Sequence, residues 1–163
     1  MTNSNQPFVP SARMGLNTVK TTSSMQLSDR FAEALVFAEK LHRRQIRKGS
    51  GIPYVAHLLG VTSLVLEAGG DEDEAIAALL HDAIEDQGGQ QTRALIQTKF
   101  GDRVAKIVAG CSDSFDGEVK KPWRERKEAY LHHLQTAEPS VRLVSMADKL
   151  YNAQSILRDY QQV

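Results

Sequence analysis

The chain has 163 residues, 41% of them apolar, with one cysteine and 20 basic residues balanced by 20 acidic ones. That length sustains one hydrophobic core and not two, and the cancelled charge removes the global field that would draw nucleic acid or anionic lipid. No stretch approaches the roughly 20 apolar residues of a membrane span, and the N-terminus lacks the apolar stretch of a signal peptide, so a cytoplasmic protein is the default expectation.

Residues 1–26 are rich in Ser, Thr and Asn, carry Pro7, Pro10 and Gly15, and show no periodicity. They read as a flexible leader ahead of one domain over 27–163. Ser28 caps a predicted helix over 29–41, with Phe31, Leu35 and Ala38 at helical spacing. His42 at its end, beside Arg43 and Arg44, suits the negative helix terminus better than a metal. A basic loop over 43–53 leads into a second predicted helix, 54–68, which Gly69-Gly70 stops. A third follows over 71–85, with an acidic first turn that favours its dipole and Gly88-Gly89 closing it. Shorter helices are predicted over 91–100 and 102–109, divided by Gly101, and 111–122 reads as a mobile loop. Helices over 123–137 and 140–160 complete the set. Trp123 reads as a core or interface anchor, and of His132 and His133 one is expected to pack and the other to face solvent. No alternating strand pattern competes, so the expected fold class is all-α, one helical bundle with a site between its central helices.

The chemistry concentrates in Ala77-Ala78-Leu79-Leu80-His81-Asp82-Ala83-Ile84-Glu85-Asp86, where an apolar run carries four ionisable side chains in six positions. On a continuous helix, His81, Asp82, Glu85 and Asp86 share one arc and Ile76, Leu79, Leu80, Ala83 and Ile84 the other. Three carboxylates beside an imidazole repel one another unless a cation neutralises them, and a divalent metal does so economically. A solvated acidic face on a surface helix is the competing reading. His57 and Asp148, each on another apolar stretch, favour the metal. Two imidazoles and two carboxylates form a mixed N/O set that suits Mn, Fe, Zn or Ni better than a thiolate zinc site, and Cys111 has no second cysteine.

The order His57, His81-Asp82, Asp148 resembles the HD-domain metal-dependent phosphohydrolases, and His81-Asp82-Ala83-Ile84-Glu85-Asp86 is similar to the HDxxED signature of the Rel/Spo alarmone hydrolases and their small stand-alone relatives. The stretch from Gln45-Ile46-Arg47-Lys48 through Pro53-Tyr54-Val55-Ala56-His57 resembles that subfamily's basic segment, with one extra residue between Lys48 and Pro53. Phe100-Gly101 through Ile107-Val108 and Ala147-Asp148-Lys149-Leu150-Tyr151-Asn152 match two further segments.

The resemblance implies that His57, His81, Asp82 and Asp148 hold one ion, usually manganese, and that Glu85 and Asp86 are catalytic, handling the attacking water. It implies phosphate and nucleotide contacts from Arg47, Lys48, Ser50, Asn152 and Ser155. The implied substrate is a small guanine nucleotide: the 3′-pyrophosphate of guanosine 3′,5′-bis(diphosphate) or its pentaphosphate relative is hydrolysed to GDP or GTP and pyrophosphate. Two alternatives stay open, a broader nucleotide phosphohydrolase acting on a nucleoside monophosphate or NADPH, and a sensor that binds a nucleotide without turnover.

Overall fold

Ser28 and Asp71 show how local chemistry starts the helices of this chain. In the computed structural model, which describes residues 26–112 and 122–161, Ser28 accepts from the Arg30 amide at the start of α1 (Asp29–His42). Asp71 and Glu74 form a reciprocal capping box at the start of α3 (Glu72–Leu80). Between them lies α2 (Val55–Glu67), and the chain continues through α4 (Ala83–Asp86), α5 (Gly89–Phe100), α6 (Asp102–Cys111), α7 (Trp123–Thr136) and α8 (Pro139–Tyr160). Pro139 occupies the first turn of α8, where its missing N–H costs nothing. Among the described residues the extended structure is limited to an isolated bridge between Ile46 and Pro53. The all-α expectation is met. The leader over residues 1–25 and the loop residues 113–121 lie outside the described residues.

Helix α3 is the centre of the molecule, packed by α1, α2, α6 and α8. Ala75 through Leu80 are six consecutive residues with no exposure. A helix apolar on every side belongs in a core, and burying each Leu or Ile contributes about 1.5–3 kcal/mol. This overturns the reading of the segment as a surface helix with a solvated acidic face. No described helix is long and apolar enough to cross a membrane.

The structure departs from the predicted helix over 71–85 at one informative place. The helix stops at Leu80, His81 and Asp82 form a turn, and α4 resumes at Ala83. The His81 ring Nδ1 donates to the Ala78 carbonyl at 2.8 Å, the acceptor an unbroken helix would offer to the Asp82 amide. Asp82 then adopts a ψ of −3°, which turns the chain that follows it into α4. Other ends shift by a residue or two: α5 starts at Gly89 because Gly88 takes φ +115°, and α6 runs on to Cys111. Trp123, expected in a core or an interface, is 69% exposed and so is not a core anchor. His132 and His133 are both exposed, so neither packs.

Candidate metal centre and hydrolytic site

Three helical segments deliver the four ligand candidates. His57 comes from the first turn of α2, His81 and Asp82 from the break between α3 and α4, and Asp148 from the middle of α8. The contact that registers α2 against α8 is Gly60 on Tyr151: a Cβ at Gly60 would fall 1.9 Å from the tyrosine ring. Gly60 and Tyr151 each lie three residues beyond a ligand candidate, so this close approach sets how far apart His57 and Asp148 stand.

The donor atoms converge. His57 Nε2 and His81 Nε2 are 3.3 Å apart. Asp148 Oδ1 is 3.3 Å from the first and 3.7 Å from the second, and Asp82 Oδ2 is 3.5 Å and 3.0 Å from them. One ligand atom from each of His57, His81 and Asp148 falls within a 4.8 Å sphere of mutual separation. His57 and His81 are buried to 1% and 3% exposure. With Nδ1 of His81 committed to a carbonyl, its Nε2 presents a lone pair when the ring is neutral. Nδ1 of His57 is buried without a protein partner among the described residues, and its ring is instead held between Tyr54 and Tyr151, at 5.3 and 5.4 Å.

Electrostatics say the same thing. Burial opposes a charge on His81, yet Asp82 and Asp148 outweigh it and raise its pKa well above the ordinary imidazole value. Burial likewise penalises the Asp82 and Asp148 carboxylates, and the two imidazoles beside them reverse it, holding both well below the usual carboxylate range. The cluster demands a positive charge at its centre, which fits a divalent ion bound by two imidazoles and two carboxylates.

Each carboxylate is also gripped from outside. Tyr54 donates its hydroxyl to Asp82 Oδ2. Lys149 donates to Asp148 Oδ2, and Asn152 donates to Asp148 Oδ1 at 2.6 Å. Such partners fix ligand orientation. Asn152 Oδ1 in turn accepts from Arg47 at 3.0 Å, and Arg47 lies over the Tyr151 ring at 5.8 Å.

A cavity of about 220 Å³ opens over the cluster, walled by all four ligand candidates together with Glu85, Asp86, Lys127, Tyr130, Ser145, Lys149 and Asn152. A second, of about 330 Å³, is lined by Gln45, Ile46, Arg47 and Lys48 and shares Tyr54, Asp86 and Asn152 with the first. Of the eleven residues singled out from sequence, nine therefore line one or the other of these two adjacent cavities. The exceptions are Ser50 and Ser155. Ser50 lies in an exposed turn beside the second cavity, and Ser155 is buried behind Tyr151, donating to its carbonyl and accepting from Arg158.

Sequence reasoning missed Tyr54, Gln45, Lys149, Tyr130 and Ser145. The first three lie inside the family-like segments named above, close in sequence to a ligand candidate or to the basic pair, and their polar groups were the available signal. The Tyr130–Ser145 pair, 2.7 Å apart, joins α7 to α8 and leaves no local signature. Cys111 also lines the cavity, with burial pushing its thiol up to about 11, the behaviour of an inert wall residue rather than a ligand.

An all-helical core enclosing two histidines and two aspartates, with an acidic pair and a basic cavity beside them, has the donor types of a divalent-metal site placed next to groups suited to phosphate. Comparison with known proteins gives the family. The HD domain matches residues 34–163, and the chain belongs to that family. The guanosine-3′,5′-bis(diphosphate) 3′-pyrophosphohydrolase of Xenopus tropicalis is 37% identical over 129 residues, covering 77% of this chain and 69% of that protein. The human protein of the same name is 35% identical over the same shares, and that of Aquifex aeolicus is 36% identical over 80% of this chain and 18% of its own length. A solved structure of a metazoan ortholog of SpoT that hydrolyzes ppGpp superposes with a TM-score of 0.71 at 32% identity, covering 85% of this chain and 74% of that one.

Proposed function

We propose that this chain hydrolyses the 3′-pyrophosphate of guanosine 3′,5′-bis(diphosphate) and of the related pentaphosphate, with manganese as its ion, giving pyrophosphate and GDP or GTP. The observation that supports this reading best is the shared wall: the four ligand candidates and the Glu85–Asp86 pair line one cavity, and Tyr54, Asp86 and Asn152 also line a second that bears Arg47 and Lys48.

His57, His81, Asp82 and Asp148 would hold the ion, and its chemistry is to lower the pKa of bound water and to polarise a phosphoryl oxygen. The remaining work falls to the chain. Glu85, one turn beyond His81, takes the proton from the attacking water. Asp86, with Oδ2 held by the Gln45 amide at 2.7 Å, keeps its other oxygen for orienting that water. Water adds to the phosphorus bonded to the 3′ oxygen, that P–O bond breaks, and the 3′ oxygen leaves as a hydroxyl after taking a proton. Arg47, braced by Asn152 and Tyr151, meets phosphate oxygens as a fork, and Lys48 meets them as a point charge. Ser50 acts at the rim of that loop, and Ser155 acts indirectly, by anchoring Arg158 against Tyr151.

The test separates ligand from base. Wild-type protein with manganese should release pyrophosphate. Asp82→Asn should lose the ion and turnover together, whereas Glu85→Gln should bind manganese as wild type does and lose turnover by about 10²–10⁴-fold, the range of general-base removal. Equal metal retention by the two variants would contradict the division of labour, and turnover in Glu85→Gln would remove its base.

A further inference from the structure

His42 stands outside every role assigned so far, and it is joined through Gln45 to Asp86 by a continuous hydrogen-bonded chain. Gln45 Nε2 lies 2.7 Å from Asp86 Oδ2. Its Oε1 lies 2.7 Å from the His42 ring Nδ1 and accepts from the Gln87 amide at 2.7 Å, and that amide nitrogen also lies 3.5 Å from Nδ1. The Asp86 carboxylate, which only accepts, determines how the Gln45 amide must face. The NH₂ end meets the carboxylate, which leaves the oxygen to face His42 and Gln87. The opposite orientation would set an amide oxygen against Asp86.

His42 is suited to lock that orientation. It is 2% exposed, burial lowers its pKa below the ordinary imidazole value, and Nδ1 is the ring nitrogen placed to donate to the Gln45 oxygen. Among the described residues its Nε2 is buried without a hydrogen-bond partner, so Nδ1 carries the ring's side-chain hydrogen bonding. The ring stacks on Tyr54 at 5.3 Å with an interplanar angle of 19°, which fixes the plane from which Nδ1 donates.

We infer that His42 and Gln45 are positioning residues for Asp86: His42 holds the Gln45 amide in one orientation, and Gln45 holds one Asp86 oxygen so that the other faces the cavity over the metal cluster. This rests on the proposed function, since Asp86 must act on the reaction for its orientation to matter. The sequence reading gave His42 only a helix-terminus role. The structure turns its side chain inward, away from solvent and toward Gln45.

The experiment is a double-mutant cycle on the full chain loaded with manganese, reading kcat and KM for pyrophosphate release from guanosine 3′,5′-bis(diphosphate), and manganese affinity by direct titration. Asp86→Asn is the reference. His42→Phe keeps a ring against Tyr54 and removes the donor, and Gln45→Met removes the amide. Each should lower kcat by about tenfold while KM and manganese affinity stay within about twofold, and the double variant should be no slower than the worse single, because both changes cut one chain. His42→Asn, whose amide can replace the Nδ1–H, should recover most of the turnover that His42→Phe loses.

Full activity in Asp86→Asn would remove the proposed role of Asp86, and the relay with it. An inactive Asp86→Asn beside unchanged kcat in His42→Phe, or single effects that multiply to about a hundredfold in the double variant, would overturn the relay and leave the function standing. Should His42→Phe fail to fold, Gln45→Met decides alone, and wild-type kcat there overturns the inference.

Discussion

His81 is the residue on which the site turns. Its Nδ1 bond to Ala78 ends α3, its Nε2 joins the donor cluster, and, against the burial that opposes a charge, the carboxylates of Asp82 and Asp148 raise its pKa well above the ordinary imidazole value. A ligating imidazole must be neutral, so binding a divalent ion to the protonated ring expels a proton. The sign follows from the raised pKa: below it, protons compete with the ion, and apparent affinity rises with pH until the folded-state value is passed. Calorimetric titration with manganese near neutral pH, in buffers of differing ionisation enthalpy, should therefore show release of about one proton per ion. No proton release, or affinity that falls as pH rises, would show that His81 is already neutral. That a histidine and three carboxylates gather in one apolar segment is legible in the sequence. That His81 breaks the helix is not, because the break depends on a ring nitrogen choosing a backbone carbonyl over solvent.

At the level of elements, the helices are legible wherever capping chemistry and apolar period agree, as at Ser28 and Asp71. Trp123 shows the limit of composition: size and hydrophobicity alone argue for burial, yet α7 buries only Tyr130 among its described side chains. The pairing of α2 with α8 is equally unreadable from local pattern, since it depends on Gly60 meeting Tyr151 across the bundle. Gly60→Ala tests it. The added methyl cannot fit without moving the ring or the helix, and overpacking of this kind costs about 1–3 kcal/mol. Thermal unfolding should shift down accordingly, and manganese affinity should fall as well, because His57 and Asp148 ride on the two helices that separate. A destabilised variant with unchanged affinity would show that the ligands adjust independently of the α2–α8 contact.

Across the whole molecule, one cavity carries the metal cluster and the acidic pair, and a neighbouring one carries the basic loop. Sequence separations of 24 between His57 and His81 and 105 between Arg47 and Asn152 are closed only by the tertiary fold. The ligand types were legible because their chemistry is restrictive. Ser50 and Ser155 were harder to place, because a serine hydroxyl is as readily satisfied by a nearby carbonyl as by a phosphate. In the proposed reaction, water activated beside the four ligand candidates and deprotonated by Glu85 attacks the phosphorus attached to the 3′ oxygen. Hydrolysis of guanosine 3′,5′-bis(diphosphate) by the manganese-loaded protein in ¹⁸O-labelled water, with products resolved by mass, tests it most directly. One label should appear in released pyrophosphate and none in GDP. Labelled orthophosphate, label in the nucleoside product, or no turnover would each contradict it.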